Sequence, residues 1–157
     1  MRRALAVSAV ALWLASCAGP AADGDVGRPD PSGAAAPADP DAGAGPWHAV
    51  TSAAGNWVVH WRALPGPVPL DDRFDLELRL EGADGAAPPD ELVLAVDAGM
   101  PQHQHGMLQR CGLTRTGRDT WRADGLRFHM GGAWTVVFDL TVGPLTERAE
   151  AVVVLDG

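Results

Sequence analysis

Two stretches of the chain alternate hydrophobic and polar residues with a period of two. In RFDLELRL, residues 73–80, Phe74 and the three leucines fall on one face and the charged residues on the other. WTVVFDLTV, residues 134–142, alternates in the same way from Trp134 to Val142. Such alternation is typical of antiparallel strands with one face in a core and one toward solvent. We therefore predict a strand at each stretch.

Five further segments have strand character, and the spacers between them are rich in Gly, Pro and Asp, which favour turns. No stretch shows a sustained helical period. About seven short strands separated by such turns are typical of a two-sheet sandwich, so we predict an all-β, immunoglobulin-like antiparallel β-sandwich of about seven strands. The five segments are NWVVHWRAL (56–64), ELVLAV (91–96), GMLQRCGLTR (106–115), GLRFHM (125–130) and RAEAVVVL (148–155).

The first 17 residues have the layout of a secretory signal: two arginines, a short apolar run and small residues up to Cys17. The closing LASC resembles a bacterial lipobox, which implies that Cys17 is lipidated and anchors the protein to a membrane; an ordinary signal peptide is the alternative. Ala18, where an Asp would resemble an inner-membrane retention signal, favours an outer membrane. We expect a lipoprotein of the cell envelope, facing the periplasm or the cell surface.

Residues 18–46 contain mostly Ala, Gly, Pro and Asp and almost no large apolar side chain. Such a composition cannot offset the entropy of ordering, so we predict a disordered tether. At about 5 to 6 Å times the square root of its length, it would hold the folded domain, residues 47–157, roughly 30 Å from the anchor.

The chain carries a net charge of −8 and contains no lysine. Nucleic acid and anionic lipid are therefore poor electrostatic partners, and a cationic ligand or a basic protein surface fits better. If Cys17 is lipidated, Cys111 is the only remaining cysteine and no disulfide can form within the chain. We favour a buried, inert thiol for Cys111, with metal ligation as the alternative.

The segment MPQHQHGM, residues 100–107, concentrates two imidazoles and two thioethers. In an extended segment His103 and His105 would lie on the same side and could reach one ion. Pro101 and the neighbouring glycines favour the end or edge of a sheet. Met100 and Met107 flank the histidines, and we expect both to share the exposed loop as candidate ligands.

A second histidine and methionine occur in FHMGGAW, residues 128–134. Imidazole nitrogen with thioether sulfur suits copper, because sulfur favours Cu(I) and nitrogen serves either oxidation state. Cu(I) is thus favoured and Cu(II) is possible, with the metal-ligand candidates His103, His105, His129, Met107, Met130 and Met100. Met130 shares parity with Leu126 and Phe128, so core packing is its alternative.

Both motifs together resemble the YtkA-like and FixH-like extracytoplasmic domains, over about residues 74–142. In that family a Met-Pro-x-His-x-His-Gly-Met segment precedes Phe-His-Met-x-Gly-x-Trp and a final hydrophobic strand. The resemblance implies an immunoglobulin-like sandwich, lipid anchoring, and a role in copper handling or oxidase assembly. The matched positions are Met100, His103, His105, Met107, His129 and Met130, whereas Cys111 lies outside the pattern.

The leading hypothesis is a lipid-anchored copper-binding protein that captures copper or delivers it to an accepting envelope protein. The alternative is a metal-free module that supports assembly of a membrane complex through its sheet edge. Enzymatic activity is not expected, because the sequence shows no paired nucleophile and base and no phosphate-binding loop. Asp97 and Asp124 are the nearest acids and could instead orient a ligand histidine.

Overall fold

A computed structural model describes residue 41 and residues 43–157. Cys17, the signal segment and nearly all of the predicted tether lie outside these residues. The described chain is built of β-strands, with one short 3-10 helix at Pro101–His103. The strands are β1 (His48–Thr51), β2 (Trp57–Leu64), β3 (Arg73–Gly82), β4 (Val93–Met100), β5 (His105–Gly106), β6 (Gly112–Arg115), β7 (Thr120–Arg127), β8 (Gly132–Val142) and β9 (Leu145–Leu155).

These strands form two antiparallel sheets, one ordered β1-β2-β3-β7-β6 and the other β5-β4-β8-β9. Without the short edge strands β1 and β5, the orders are β2-β3-β7-β6 and β4-β8-β9. They match the ABED and CFG sheets of an immunoglobulin constant domain. The prediction of an all-β, immunoglobulin-like sandwich is therefore confirmed, with two short edge strands added to the seven main ones.

The period-two alternation produces the core between the sheets. Phe74 and the leucines of β3 are buried, and so are Trp134, Val136, Phe138 and Leu140 of β8, while Val142 is only half-buried. Burying large apolar side chains of this kind is the main favourable contribution to folding. The fold is thus held by packing between the two sheets, as the pattern predicts.

A β-bulge in β7 changes which of its residues face the core. Phe74 pairs with Leu126 but Leu76 pairs with Ala123, so the register shifts between them. Gly125 lies in the shift with φ of 77°, and its amide donates to Asp75 Oδ1 at 2.8 Å. The extra residue lets both Ala123 and Leu126 point inward although they differ in parity.

The predicted strand over residues 106–115 is wrong in its middle. The chain leaves the four-stranded sheet after β5 and joins the five-stranded sheet at β6, so the residues between them cross from one sheet to the other. Leu108 in this crossing is 75% exposed. The strand predicted over 125–130 instead runs from Thr120 to Arg127, and β1 was not predicted because HAVT lacks a clear apolar face.

The last residues of the predicted tether, 43–45, hydrogen-bond to β2 and to the loop that follows it, while the boundary at residue 47 stays a prediction. The Gly45 N–H donates to Ala63 O at 2.9 Å, and the Gly66 N–H donates to Gly43 O at 2.7 Å. The close approach of these glycines leaves no room for a side chain at Gly66.

Arg62 reinforces this junction between the incoming chain and β2. Its guanidinium is nearly buried, pairs with Asp41 and Glu77, and lies 4.6 Å from the centre of the Trp47 ring. Within the described residues, no helix is long and apolar enough to cross a membrane.

Candidate metal-binding site

The two histidine- and methionine-containing motifs lie at the same end of the sandwich. β4 ends at Met100, where the first motif starts, and β8 begins at Gly132, within the second motif. Because β4 and β8 are antiparallel neighbours, with Gly99 opposite Thr135, these two strand ends lie side by side. Strand pairing therefore brings together segments that are about 25 residues apart in the sequence.

His103 and His105 do not lie on an extended segment, and that part of the prediction is wrong. Pro101 opens a 3-10 turn, and Gln104 follows in the left-handed conformation with φ of 53°. The two imidazole rings are nevertheless nearly parallel, with their centres 6.5 Å apart and their planes at 19°.

The edge strand β5 holds the histidine turn against β4. Met100 pairs with His105 and Gly99 pairs with Gly106, and Met107 N–H donates to Ala98 O at 3.1 Å. A β-carbon on Gly99 would lie 2.9 Å from the carbonyl oxygen of His105. Glycine at position 99 therefore permits this close pairing.

Met100 is not on the exposed loop, contrary to expectation. Its side chain is 0% exposed and belongs to the hydrophobic core. The methyl carbon Cε lies 2.8 Å from the position that a β-carbon would occupy on Gly132. Met100 therefore reaches from the first motif to the second beneath the surface. Its role as a ligand stays a prediction, and any ligation would come from the core side.

The second motif folds back over Trp134. The rings of Phe128 and Trp134 stack with centres 4.5 Å apart and planes at 4°. His129 meets the same indole at 74°, with centres 5.5 Å apart. The loop is closed by a hydrogen bond from Trp134 Nε1 to Met130 O at 2.9 Å. These contacts position the imidazole of His129 on a fully buried indole.

Among the described residues, His129 Nδ1 is the one buried side-chain nitrogen or oxygen without a hydrogen-bond partner. Buried polar atoms are nearly always satisfied, and leaving one unpaired costs about 1 to 3 kcal/mol. An imidazole nitrogen is also a good ligand for copper or zinc. This atom is therefore the strongest indication of a ligand at this end of the molecule.

The remaining methionines differ in exposure. Met107 is half-buried and packs against the core cluster. Met130 is 37% exposed, so core packing, the alternative left open for it by its parity, does not apply. β7 ends at Arg127, and the parity of a strand no longer decides where Met130 lies. Met130 thus lies at the surface, Met107 is half-buried, and Met100 lies entirely in the core.

The thiol of Cys111 hydrogen-bonds to the backbone of β4. It donates to the carbonyl of Val96 at 3.3 Å, and burial raises the pKa of the Cys111 thiol, with smaller effects of the same sign from Asp97 and Asp124. Asp97 accepts from Ala98 N–H, and Asp124 accepts from Arg122. No hydrogen bond in the described chain joins either carboxylate to His103, His105 or His129.

Across residue 41 and residues 43–157, no three His, Cys, Asp or Glu side chains come close enough to hold one metal ion. A site of three imidazoles is therefore not assembled in this conformation. A metal site here would combine imidazole with thioether donors, the combination that suits Cu(I). Sequence reasoning missed two residues of the site: Trp134, which positions His129, and Gly132, which contacts Met100. The Gly-Gly pair and the tryptophan in the second motif could have indicated them.

Comparisons with protein-family models, with curated proteins and with solved structures give no match for this chain. The resemblance to the YtkA-like and FixH-like domains stays a prediction.

Proposed function

We propose that this protein is a lipid-anchored extracytoplasmic copper-binding protein that captures Cu(I) or delivers it to another envelope protein. The observation that carries the proposal is the unpartnered, buried Nδ1 of His129, because copper would supply the partner that this nitrogen lacks. The neighbouring soft donors support Cu(I): Met130 follows His129 directly, and Met100 contacts Gly132, the first residue of β8.

His129 would hold the ion from the second motif, and His103 and His105 would approach from the turn that follows β4. Their rings are exposed, so they can capture an ion from solvent or from a partner. The thioethers of Met100, Met107 and Met130 would stabilise the reduced ion. Ligands that can be replaced one at a time are suited to transfer, and no catalytic step is required.

Titration of the full-length protein in detergent with Cu(I), against a competing chelator, tests this proposal. We compare the wild type with the double variant His103→Ala/His105→Ala and with His129→Phe, which keeps an aromatic ring against Trp134. His60→Gln is the matched control, because His60 pairs with Glu81 at 2.9 Å on the other sheet. Tight one-to-one binding should persist in the control and weaken by at least about tenfold in the other two variants.

Equal, weak binding by all four proteins would overturn the copper proposal. Loss in His129→Phe alone would instead place the ion on the second motif and remove His103 and His105 from the ligand set.

The lipid anchor is a separate part of the proposal and rests on the LASC segment, which ends at Cys17. Each buried methylene of an acyl chain contributes about 0.8 kcal/mol to membrane binding. Metabolic labelling with an alkyne fatty acid should mark the wild type and not Cys17→Ser, and only the wild type should sediment with membranes. Labelling of both proteins would exclude Cys17 as the attachment site.

The second candidate function is a metal-free interaction module. The observation that favours it is the lack of any group of three His, Cys, Asp or Glu side chains in the described residues that could hold an ion. It predicts that partner binding is unchanged by His103→Ala/His105→Ala. A large loss of partner binding in that variant would count against it.

A further inference from the structure

The outer faces of the two sheets differ in character. On the five-stranded sheet, oppositely charged side chains pair across the surface, among them His60 with Glu81, Arg79 with Asp119 and Arg122 with Asp75. Paired charges of this kind are typical of a surface that stays in contact with water. Part of the outer face of the four-stranded sheet carries no such charged pairs.

Strand register defines an uncharged strip on the outer face of the four-stranded sheet. Gly106, Gly99, Thr135 and Val152 form one row across all four strands, and Ala133 lies opposite Val154 in the adjacent row. Val152 is 66% exposed and Val154 is 69% exposed. The strip lies at the end of the sheet where the two motifs meet, because Gly99 precedes Met100 and Ala133 follows Gly132.

The strip includes a shallow depression. A cavity of about 260 Å³ lies over Gly99 and Gly106 and extends to Asp97, Val137 and Arg148. The two glycines have no side chains, so the surface is lower there than at the exposed valines of β9. An apolar, uneven surface of this type is the usual centre of a protein–protein interface, and a polar rim normally surrounds it.

The rim of the strip is acidic. Asp97 and Glu150 lie in the next row, on either side of Val137. Arg148 is the nearby cation, and Asp139 binds it through two hydrogen bonds of 2.7 and 2.9 Å. The chain as a whole carries a net charge of −8. A second copy would bring like charges together, whereas a surface rimmed by Lys or Arg would be attracted.

We infer that this strip, defined by Gly99, Gly106, Ala133, Thr135, Val152 and Val154, is the docking surface for a protein whose apolar contact area is rimmed by basic side chains. The inference rests on the proposed function in one respect: the docked protein is the one that exchanges copper. Docking on the strip places that partner beside the histidine turn, so that its ligands can reach the ion before His103 and His105 release it.

Site-specific photo-crosslinking of the full-length protein in the cells that produce it is the first test. A benzoylphenylalanine at position 152 is compared with one at position 93. Val93 is the matched control, because it is also an exposed valine, 63% exposed, on the outer face of the same sheet but at the opposite end. We expect one defined protein adduct from position 152 and none from position 93.

The captured protein is then identified, purified and bound to the full-length protein and its variants. Val152→Glu should raise the dissociation constant at least tenfold, Val93→Glu should leave it unchanged, and Asp97→Lys with Glu150→Lys should weaken association and reduce its dependence on salt. All variants should bind Cu(I) with the wild-type stoichiometry.

Five results would each overturn the docking surface. They are an adduct between two copies of this chain, a lipid adduct, equal adducts from both positions, no adduct, and a partner whose binding is insensitive to Val152→Glu. Normal docking by a protein that binds no copper would overturn the exchange of copper with this partner and leave the docking surface in place, whereas the titration above decides copper binding itself. Normal copper binding without an adduct at position 152 would overturn the docking surface and leave the copper proposal in place.

Discussion

The methyl carbon of Met100 lies against the backbone of Gly132, 2.8 Å from the position that a β-carbon would occupy there. Gly132 also has φ of 117°, a backbone conformation that residues with a side chain rarely adopt. The last residue of β4 and the first residue of β8 thus meet directly. This contact links the two motifs and requires glycine at position 132 for two separate reasons.

We therefore expect Gly132→Ala to lower the free energy of unfolding by about 2 to 3 kcal/mol, from backbone strain and overpacking together. Gly143→Ala is the matched control: Gly143 has φ of 57° but nothing within 4 Å of an added β-carbon. Gly143→Ala should lower the free energy of unfolding by only about 1 to 2 kcal/mol. Urea denaturation measures both.

A double-mutant cycle isolates the contact itself. Met100→Ala removes the atom against which the new β-carbon would press. The stability lost by the double variant should therefore be about 1 kcal/mol smaller than the sum of the losses in Met100→Ala and Gly132→Ala. Simple additivity would show that only the backbone conformation of Gly132 matters.

The stack between Phe128 and Trp134 should contribute measurably to stability. Phe128→Leu removes an aromatic pair and part of a buried side chain, so we expect a loss of about 1 to 2 kcal/mol and a changed near-ultraviolet circular dichroism signal of Trp134. Phe138→Leu is the control, because Phe138 is equally buried in the same strand as Trp134. An identical spectral change in both variants would contradict the assignment to the stack.

Arg62 should hold the incoming chain against β2. Arg62→Met removes its pairs with Asp41 and Glu77 and its contact with the Trp47 ring, and we expect a loss of about 1 to 3 kcal/mol with faster hydrogen exchange at Gly45. Arg122→Met, at a more exposed ion pair, should cost no more than about 1 kcal/mol. Unchanged exchange at Gly45 in Arg62→Met would contradict the role.

Glu147 should make stability depend on pH in the acid range. Hydrogen bonds from Asn56 and Ser52 lower the pKa of its carboxyl below the ordinary value of 4.5. Because the folded-state pKa is the lower one, the stabilisation is present at pH values above 4.5 and is lost as the pH falls through the folded-state pKa. The stability difference between wild type and Glu147→Gln should therefore shrink on acidification from pH 6; a constant difference would contradict this.

Cys111 should react slowly in the folded protein. Burial raises the pKa of its thiol, so less of the reactive thiolate is present at pH 8 than in a free cysteine. Iodoacetamide should modify the folded protein more slowly than the urea-unfolded chain, and Cys111→Ala should keep the copper stoichiometry. Loss of copper binding in that variant would make Cys111 a ligand.

The local pattern of the chain was sufficient to predict the strands and the sandwich. Alternation in RFDLELRL and WTVVFDLTV is a property of each segment, because successive side chains of a strand point to opposite faces wherever the strand lies. The same reasoning failed over residues 106–115, since apolar residues there belong to a crossing between sheets and not to one strand. It also could not show that the Gly-rich residues 43–45 hydrogen-bond to β2 and the loop after it, because those bonds join distant parts of the chain.

The sequence by itself determined which donor atoms the molecule carries and that His103, His105, Met100 and Met107 are near one another. The tertiary structure decided that β4 and β8 are neighbours, that Met100 is buried, and that His129 rests on Trp134 with an unpartnered nitrogen. These features depend on strand pairing and on packing between residues far apart in the chain, which no local pattern encodes.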